Sequence, residues 1–272
     1  MPWGAHMKKV IAALAVTAAL TGSAAAADLG ARPYAKAPAP LAPVYNWTGF
    51  YIFGGGGGGL WNADSNSQTF PGGVAITRDQ RFGGSGWFGT VGGGYDMQFA
   101  GRWVAGIFGD AQFGDIRGSL GDPFFGTEGR MKLETSWAAG VRLGYLVAPN
   151  VLSYVNGGYS GSEWSGTTQT SVFLPAGAGI TTTPSFDRNG WFIGGGVENN
   201  LDLFGISAPG WFMKTEYRSA FYDRISLPTT FTPAFGGGPT GTAVTFKPWT
   251  QTISTSLVYR FNWGGAPVNA RY

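Results

Sequence analysis

MKLETSWAAGVRLGYL, residues 131–146, alternates residue by residue. Leu133, Trp137, Ala139, Val141, Leu143 and Tyr145 fall on one face, with Thr135 among them. Glu134, Ser136, Ala138, Gly140, Arg142 and Gly144 fall on the other. A helix would scatter charges such as Glu134 and Arg142 around its axis, whereas a strand gathers them on one side. Residues 250–261 repeat the pattern, with Ile253, Leu257, Tyr259 and Phe261 against Thr252, Ser254, Ser256 and Arg260. So do residues 211–222, where Met213, Tyr217 and Phe221 oppose Lys214, Glu216 and Arg218.

Working outward, the same reading gives eight strands near residues 48–60, 86–99, 103–117, 131–147, 151–164, 190–203, 211–224 and 249–261. Glycine blurs the faces of the first and fifth. The connections alternate in length. Those at 100–102, 148–150 and 204–210 are short. The other four, including 166–186 and 227–246, are long and rich in Gly, Thr and Pro. An even strand count with short turns at one end and long loops at the other predicts an all-β fold: an eight-stranded antiparallel transmembrane β-barrel with short periplasmic turns and long extracellular loops.

Composition agrees. Charged residues make up 12% of the 272, aromatics 15%, and there are 47 glycines and no cysteine. No uninterrupted apolar run of about 18 residues follows the N-terminal segment, which excludes a helical membrane protein. Trp47, Trp61, Trp87, Trp103, Trp164, Trp191, Trp211 and Trp249 lie near strand ends, where indole suits a membrane–water boundary. Alternation alone leaves a soluble lipocalin-like barrel as the rival. Such a barrel would turn its charged face to water and have no use for aromatic rings at both ends.

The N-terminus reads as a secretory signal, residues 1–27. Lys8-Lys9 precede an apolar run from Val10 to Leu20, and Ala25-x-Ala27 offers cleavage before Asp28. Met7 is an alternative start to Met1, which would make residues 1–6 an upstream extension. Residues 28–46, with Pro33, Pro38, Pro40 and Pro43, read as an Ala/Pro-rich periplasmic leader. The barrel is expected over 47–261 and a short tail over 262–272. Loss of Lys8 and Lys9 leaves 16 basic against 15 acidic residues, so nothing suggests nucleic acid.

Chemistry is constrained in the same way. His6, the single histidine, lies ahead of the signal, so Ser-His-Asp and His-metal sites are absent from the mature chain. The lack of cysteine removes thiolate catalysis and Cys-ligated metals. A Ser-Lys or paired-carboxylate enzyme stays open, but no spacing suggests one. The glycines of 54–59 are followed by no Gly-Lys-Ser/Thr and read as room for facing side chains rather than a phosphate loop. Gly92, Gly94, Gly194 and Gly196 share a face with Asp96 and Glu198. The polar faces gather Asp96, Asp110, Glu134, Arg142, Glu198, Lys214, Glu216, Arg218 and Arg260, which we expect to form a salt-bridge network in the lumen.

Certain motifs resemble the outer-membrane immunogenic proteins, small porin-like barrels of the opacity-protein superfamily. They are Asn46-Trp47-Thr48-Gly49-Phe50-Tyr51-Ile52, Gly190-Trp191, Gly194-Gly195-Gly196-Val197-Glu198, Lys214-Thr215-Glu216-Tyr217 and Leu257-Val258-Tyr259-Arg260-Phe261-Asn262-Trp263. The resemblance covers essentially the whole chain. It implies eight strands and a surface-exposed antigenic role, and it implies a lumen carboxylate at position 108, where Phe108 stands. Tyr259-Arg260-Phe261 also resembles the aromatic signal read by barrel-assembly machinery, although Phe261 equally suits a lipid-facing girdle.

The reading is a non-enzymatic, cofactor-free outer-membrane barrel with a structural or surface-interaction role and a filled lumen. Its partners are outer-membrane lipid and an unidentified surface or envelope partner reached by the loops. A small-solute channel is the alternative. Loop-mediated binding of a ligand such as haem, through Tyr or Met, ranks below both.

Overall fold

The computed structural model describes residues 45–173, 177 and 179–261. The signal, nearly all of the leader and the tail lie outside the described residues. Twelve strands follow in order: β1 (Gly49–Ser65), β2 (Ser67–Thr69), β3 (Gln80–Phe99), β4 (Trp103–Asp122), β5 (Thr127–Ala148), β6 (Val151–Trp164), β7 (Thr167–Ser171), β8 (Thr181–Thr183), β9 (Phe186–Asn200), β10 (Trp211–Tyr222), β11 (Ile225–Phe231) and β12 (Pro239–Phe261). Eight of them, β1-β3-β4-β5-β6-β9-β10-β12, pair antiparallel in sequence order, and β12 closes on β1 from Phe50↔Phe261 to Asp64↔Lys247. Closure leaves no unpaired edge, which a lipid-embedded sheet requires.

The four short strands prolong this barrel. β2 follows β1 after one residue, β7 follows β6, β8 runs into β9 and β11 follows β10. Their pairings, β5–β7, β7–β8, β8–β11, β11–β12 and β2–β12, repeat the neighbour relations of the strands they extend. The predicted loop 227–246 is therefore mostly sheet, 166–186 carries β7 and β8, and the long connection expected between the third and fourth strands is a four-residue turn, Pro123–Gly126, between β4 and β5. Threonine explains the difference. It is β-branched and favours strands, yet it occupies both faces here: Thr167, Thr181 and Thr183 are buried while Thr168 is exposed, so no hydropathy contrast marks the alternation.

A belt of Ile52, Val91, Ile107, Val141, Val155, Ile193, Ile253 and Leu257 faces outward. Aromatic girdles bound it. In the upper one, Trp249, Phe221, Trp191 and Tyr159 stand opposite one another across β12, β10, β9 and β6. Trp191 and Phe221 stack at 4.6 Å. The lower girdle holds Trp211 against Tyr259 at 5.2 Å, Trp103 against Tyr145 at 5.2 Å and Phe50 against Tyr95 at 4.8 Å. From Trp211 to Phe221 a tilted strand rises about 25 Å, the height of an outer-membrane apolar belt. Not all of the tryptophans serve this purpose. Trp47, Trp61 and Trp164 point inward and are buried, because they fall on the lumen parity of their segments.

One strand changes parity. On β5 the inward residues are Ala138, Arg142 and Leu146 below, but Leu133, Met131 and Thr127 above. Register shifts flank the change on both sides, between Phe113 and Ile116 opposite β4 and between Leu133 and Thr135 opposite β6. This bulge turns Leu133 into the interior and Glu134 out of it. Glu134 is thus not a lumen residue. It is half-exposed on the outer surface, 3.9 Å from Lys132.

Candidate functional site

The lumen within the apolar belt is built with an approximate twofold repeat. Gly92-Gly93-Gly94-Tyr95-Asp96 on β3 matches Gly194-Gly195-Gly196-Val197-Glu198 on β9. Tyr51 on β1 matches Tyr154 on β6, and Arg142 on β5 matches Arg260 on β12. β4 and β10 both open on Trp and place Asp110 and Arg218 at equivalent positions. The repeat brings complementary charges together across the axis.

Lowest in the belt is a closed quartet of Asp96, Arg142, Glu198 and Arg260, all buried. Arg142 donates through Nε to Asp96 Oδ1 at 2.9 Å and pairs with Asp96 again through Nη2. Its Nη1 donates to Glu198 Oε2 at 3.1 Å. Arg260 donates through Nε to Glu198 Oε1 at 2.7 Å and through Nη1 to Asp96 Oδ2 at 2.8 Å. Each arginine therefore holds both acids. Tyr51 lies between the guanidiniums, 4.4 Å from that of Arg142 and 4.9 Å from that of Arg260. Trp47 covers Arg260 from the periplasmic side at 4.5 Å. Tyr45 packs on Trp47 and Phe212, and burial there pushes its phenol up to about 12.

A second quartet, Asp110, Lys214, Glu216 and Arg218, is also buried. Arg218 grips Asp110 with both nitrogens of its fork, at 2.9 and 2.7 Å, and donates to Glu216 Oε1 at 2.7 Å. Lys214 Nζ lies 3.7 Å from Glu216 Oε2 and 3.3 Å above the Phe53 ring. Tyr154 joins the quartets: its hydroxyl donates to Glu216 Oε2 at 2.8 Å, and its ring lies 5.1 Å from Arg142. Phe108 and Phe192 flank Arg218 at 5.7 and 4.7 Å. At position 108 an aromatic face thus meets the cation where the resemblance implies a carboxylate.

Eight of the nine expected residues are thereby brought together, and Glu134 is not. Its removal takes the set from five acids against four bases to four against four, so the two quartets are formally neutral. The sequence reading missed the aromatic rings between the charges. Their signal was the glycine spacing. A Cβ at Gly92 would lie 2.6 Å from Phe53 Cζ, and one at Gly196 would lie 2.7 Å from the Tyr154 hydroxyl. Glycine at these positions makes the space the rings occupy. No group of three or more metal-ligating side chains is found among the described residues.

No protein-family profile and no curated protein matches the chain. Solved structures give matches to outer membrane protein OprG from Pseudomonas aeruginosa (12% identity, 79% of this chain and 98% of that one, TM-score 0.49) and to Neisserial surface protein A (12%, 79% and 98%, TM-score 0.38). A third is Ail, the attachment invasion locus protein of Yersinia pestis, in complex with the heparin analogue sucrose octasulfate (12%, 76% and 99%, TM-score 0.29). These are likenesses of barrel architecture alone. On its own geometry, a closed eight-stranded ring with an apolar belt between two girdles and charges kept to the lumen and the water-exposed ends, the chain is an outer-membrane β-barrel seated in lipid.

Proposed function

We propose that this barrel is a non-conducting, non-enzymatic membrane anchor that presents a rigid β extension at the cell surface for structural or surface-interaction purposes. The observation that carries this reading is the pair of neutral quartets spanning the lumen, interleaved with Tyr51, Tyr154, Phe53 and Phe192. An eight-stranded barrel has an interior just wide enough for its own side chains. Here those side chains bond to one another across the axis, so a passing solute would have to break ion pairs that water does not replace. A barrel that carries solutes has little reason to spend eight charged residues on sealing itself. The extension above the girdle, hydrogen-bonded strand to strand, supports presentation of its tips.

The test is planar-bilayer recording and liposome swelling with the refolded mature protein. We expect no stable conductance steps and no uptake of uncharged sugars. Well-resolved steps with sugar uptake would overturn the reading and establish a small-solute channel.

A further inference from the structure

A polar cleft of about 590 Å³ opens on the outer surface of the extension, across β4, β5 and β7. It lies within the size range of small-molecule sites, about 300–1,000 Å³. Ser119, Glu128, Arg130, Thr168, Thr170 and Val172 line it. Register sets the layout. Ser119 faces Arg130 across β4 and β5, and Thr170 faces Glu128 across β5 and β7. Glu128 and Arg130 are two residues apart on one outward face, so their side chains start about 7 Å from each other. Neither makes a side-chain hydrogen bond or ion pair among the described residues; Glu128 accepts there only through its main-chain oxygen, from Thr170 Oγ1 at 3.5 Å. Nearby outward charges behave differently: Arg117 is paired with Asp115, and Arg81 with Asp64. At the upper rim Val172 is exposed.

We propose that this cleft binds a neutral glycan. A sugar ring offers vicinal hydroxyls that both donate and accept, together with an apolar C–H face. Glu128 accepts, Arg130 donates, and the hydroxyls of Ser119, Thr168 and Thr170 do either. Val172 supplies an apolar surface for the C–H face. The opposed charges select against ionic ligands, because a phosphate or sulfate that approached Arg130 would meet Glu128. The inference rests on the surface-presentation reading above and gives it a ligand class. The glycan could belong to the cell's own lipopolysaccharide or to another cell.

The experiment uses the refolded full-length mature barrel in detergent, with calorimetry against three probes. They are dephosphorylated, carboxyl-reduced core oligosaccharide from the bacterium's own lipopolysaccharide, which is neutral, desialylated N-glycans released from vertebrate serum glycoproteins, and a heparin hexasaccharide. Binding is expected for one of the two neutral probes, and the one that binds names the source. Glu128→Gln and Thr170→Val should each weaken it by about tenfold. Both positions lie on the outer face of the extension, and a retained heat-dependent shift in gel mobility shows that each variant is folded. The proposal is overturned if neither neutral probe binds, if both folded variants bind as well as the parent, or if the heparin hexasaccharide is preferred. Bilayer conductance of the same preparation reports on the sealed lumen separately, so failure of one reading is distinguishable from failure of the other.

Discussion

The barrel has two interiors stacked one above the other, and they are held together differently. Between the girdles the lumen is charged: eight ionic side chains in two quartets, with aromatic rings between them. Above the girdle it begins with an aromatic layer, Trp61, Trp164, Phe186 and Phe246, whose rings lie 5.2 to 6.1 Å apart. It ends in hydroxyls. Thr127 and Thr181 both donate to Gln169 Oε1, and Thr229, Thr240 and Thr242 bond among themselves. The surroundings account for the division. Within the belt lipid lies outside and the charged side chains inside are buried, so they satisfy each other, and full charges in matched sets do this with strong bonds. In the extension water reaches the outer face and most charges move there; the interior keeps the buried carboxylate of Asp122, which accepts from Ser67 Oγ at 2.6 Å, among short neutral groups.

The difference predicts unequal costs. Glu198→Ala would leave Arg142 and Arg260 sharing Asp96 alone, and an uncompensated buried charge costs about 3–5 kcal/mol. Urea unfolding in liposomes should show this loss, and the same variant should leak current in the bilayer. A loss under about 1 kcal/mol would mean that water already reaches the quartet, and the contrast between the two interiors would fail.

The outer faces should differ as sharply. Leu257→Arg puts a charge against lipid within the belt, at a cost of about 2–4 kcal/mol near the midplane. Thr168→Arg, on the outward face of β7, should change stability by no more than about 0.5 kcal/mol. Equal effects at the two positions would move the membrane boundary above the upper girdle.

A smaller effect belongs to the hydroxyl interior. Thr229 is buried, and its hydroxyl donates to Thr242 O at 3.0 Å. Thr229→Val keeps the shape and removes the bond, for about 1 kcal/mol. A loss as large as that of Glu198→Ala would show that the extension is as tightly coupled as the charged lumen.

The same contrast explains which parts of the molecule were legible in the sequence. Where lipid lies outside and charge inside, alternation is loud, and segments such as 211–222 and 250–261 declare both their strand and their faces. Asp96, Arg142, Glu198 and Arg218 could be placed in the lumen because a charge within the belt has nowhere else to go. Above the girdle that logic lapses. Glu134 was misplaced because period-2 counting was carried through the bulge at 133–135, beyond which an outward charge is no longer forbidden. β7, β8 and β11 were hidden because Thr faces both ways in them, and Trp61 because the glycine run before it blurs the parity of β1.

The gentlest perturbation cuts the connections rather than altering the walls. Residues 70–79 and 232–238 join strands that are already hydrogen-bonded to their neighbours: β11 pairs with β12 from Ile225↔Phe246 upward, and β2 with β12 at Thr242↔Thr69. Exposed tips rich in small residues are where proteases cut. Protease added to intact cells should therefore nick 70–79 and 232–238 and spare the hydrogen-bonded segments 127–131 and 242–246. The pieces should stay together, because each half of a cut hairpin is still paired along the barrel wall, and the nicked protein should keep its heat-dependent gel shift with almost no loss of stability. Cleavage confined to 148–150 would place the β5–β6 turn at the cell surface and invert the barrel. Release of a fragment above the girdle would show that the extension depends on its loops rather than on its sheet.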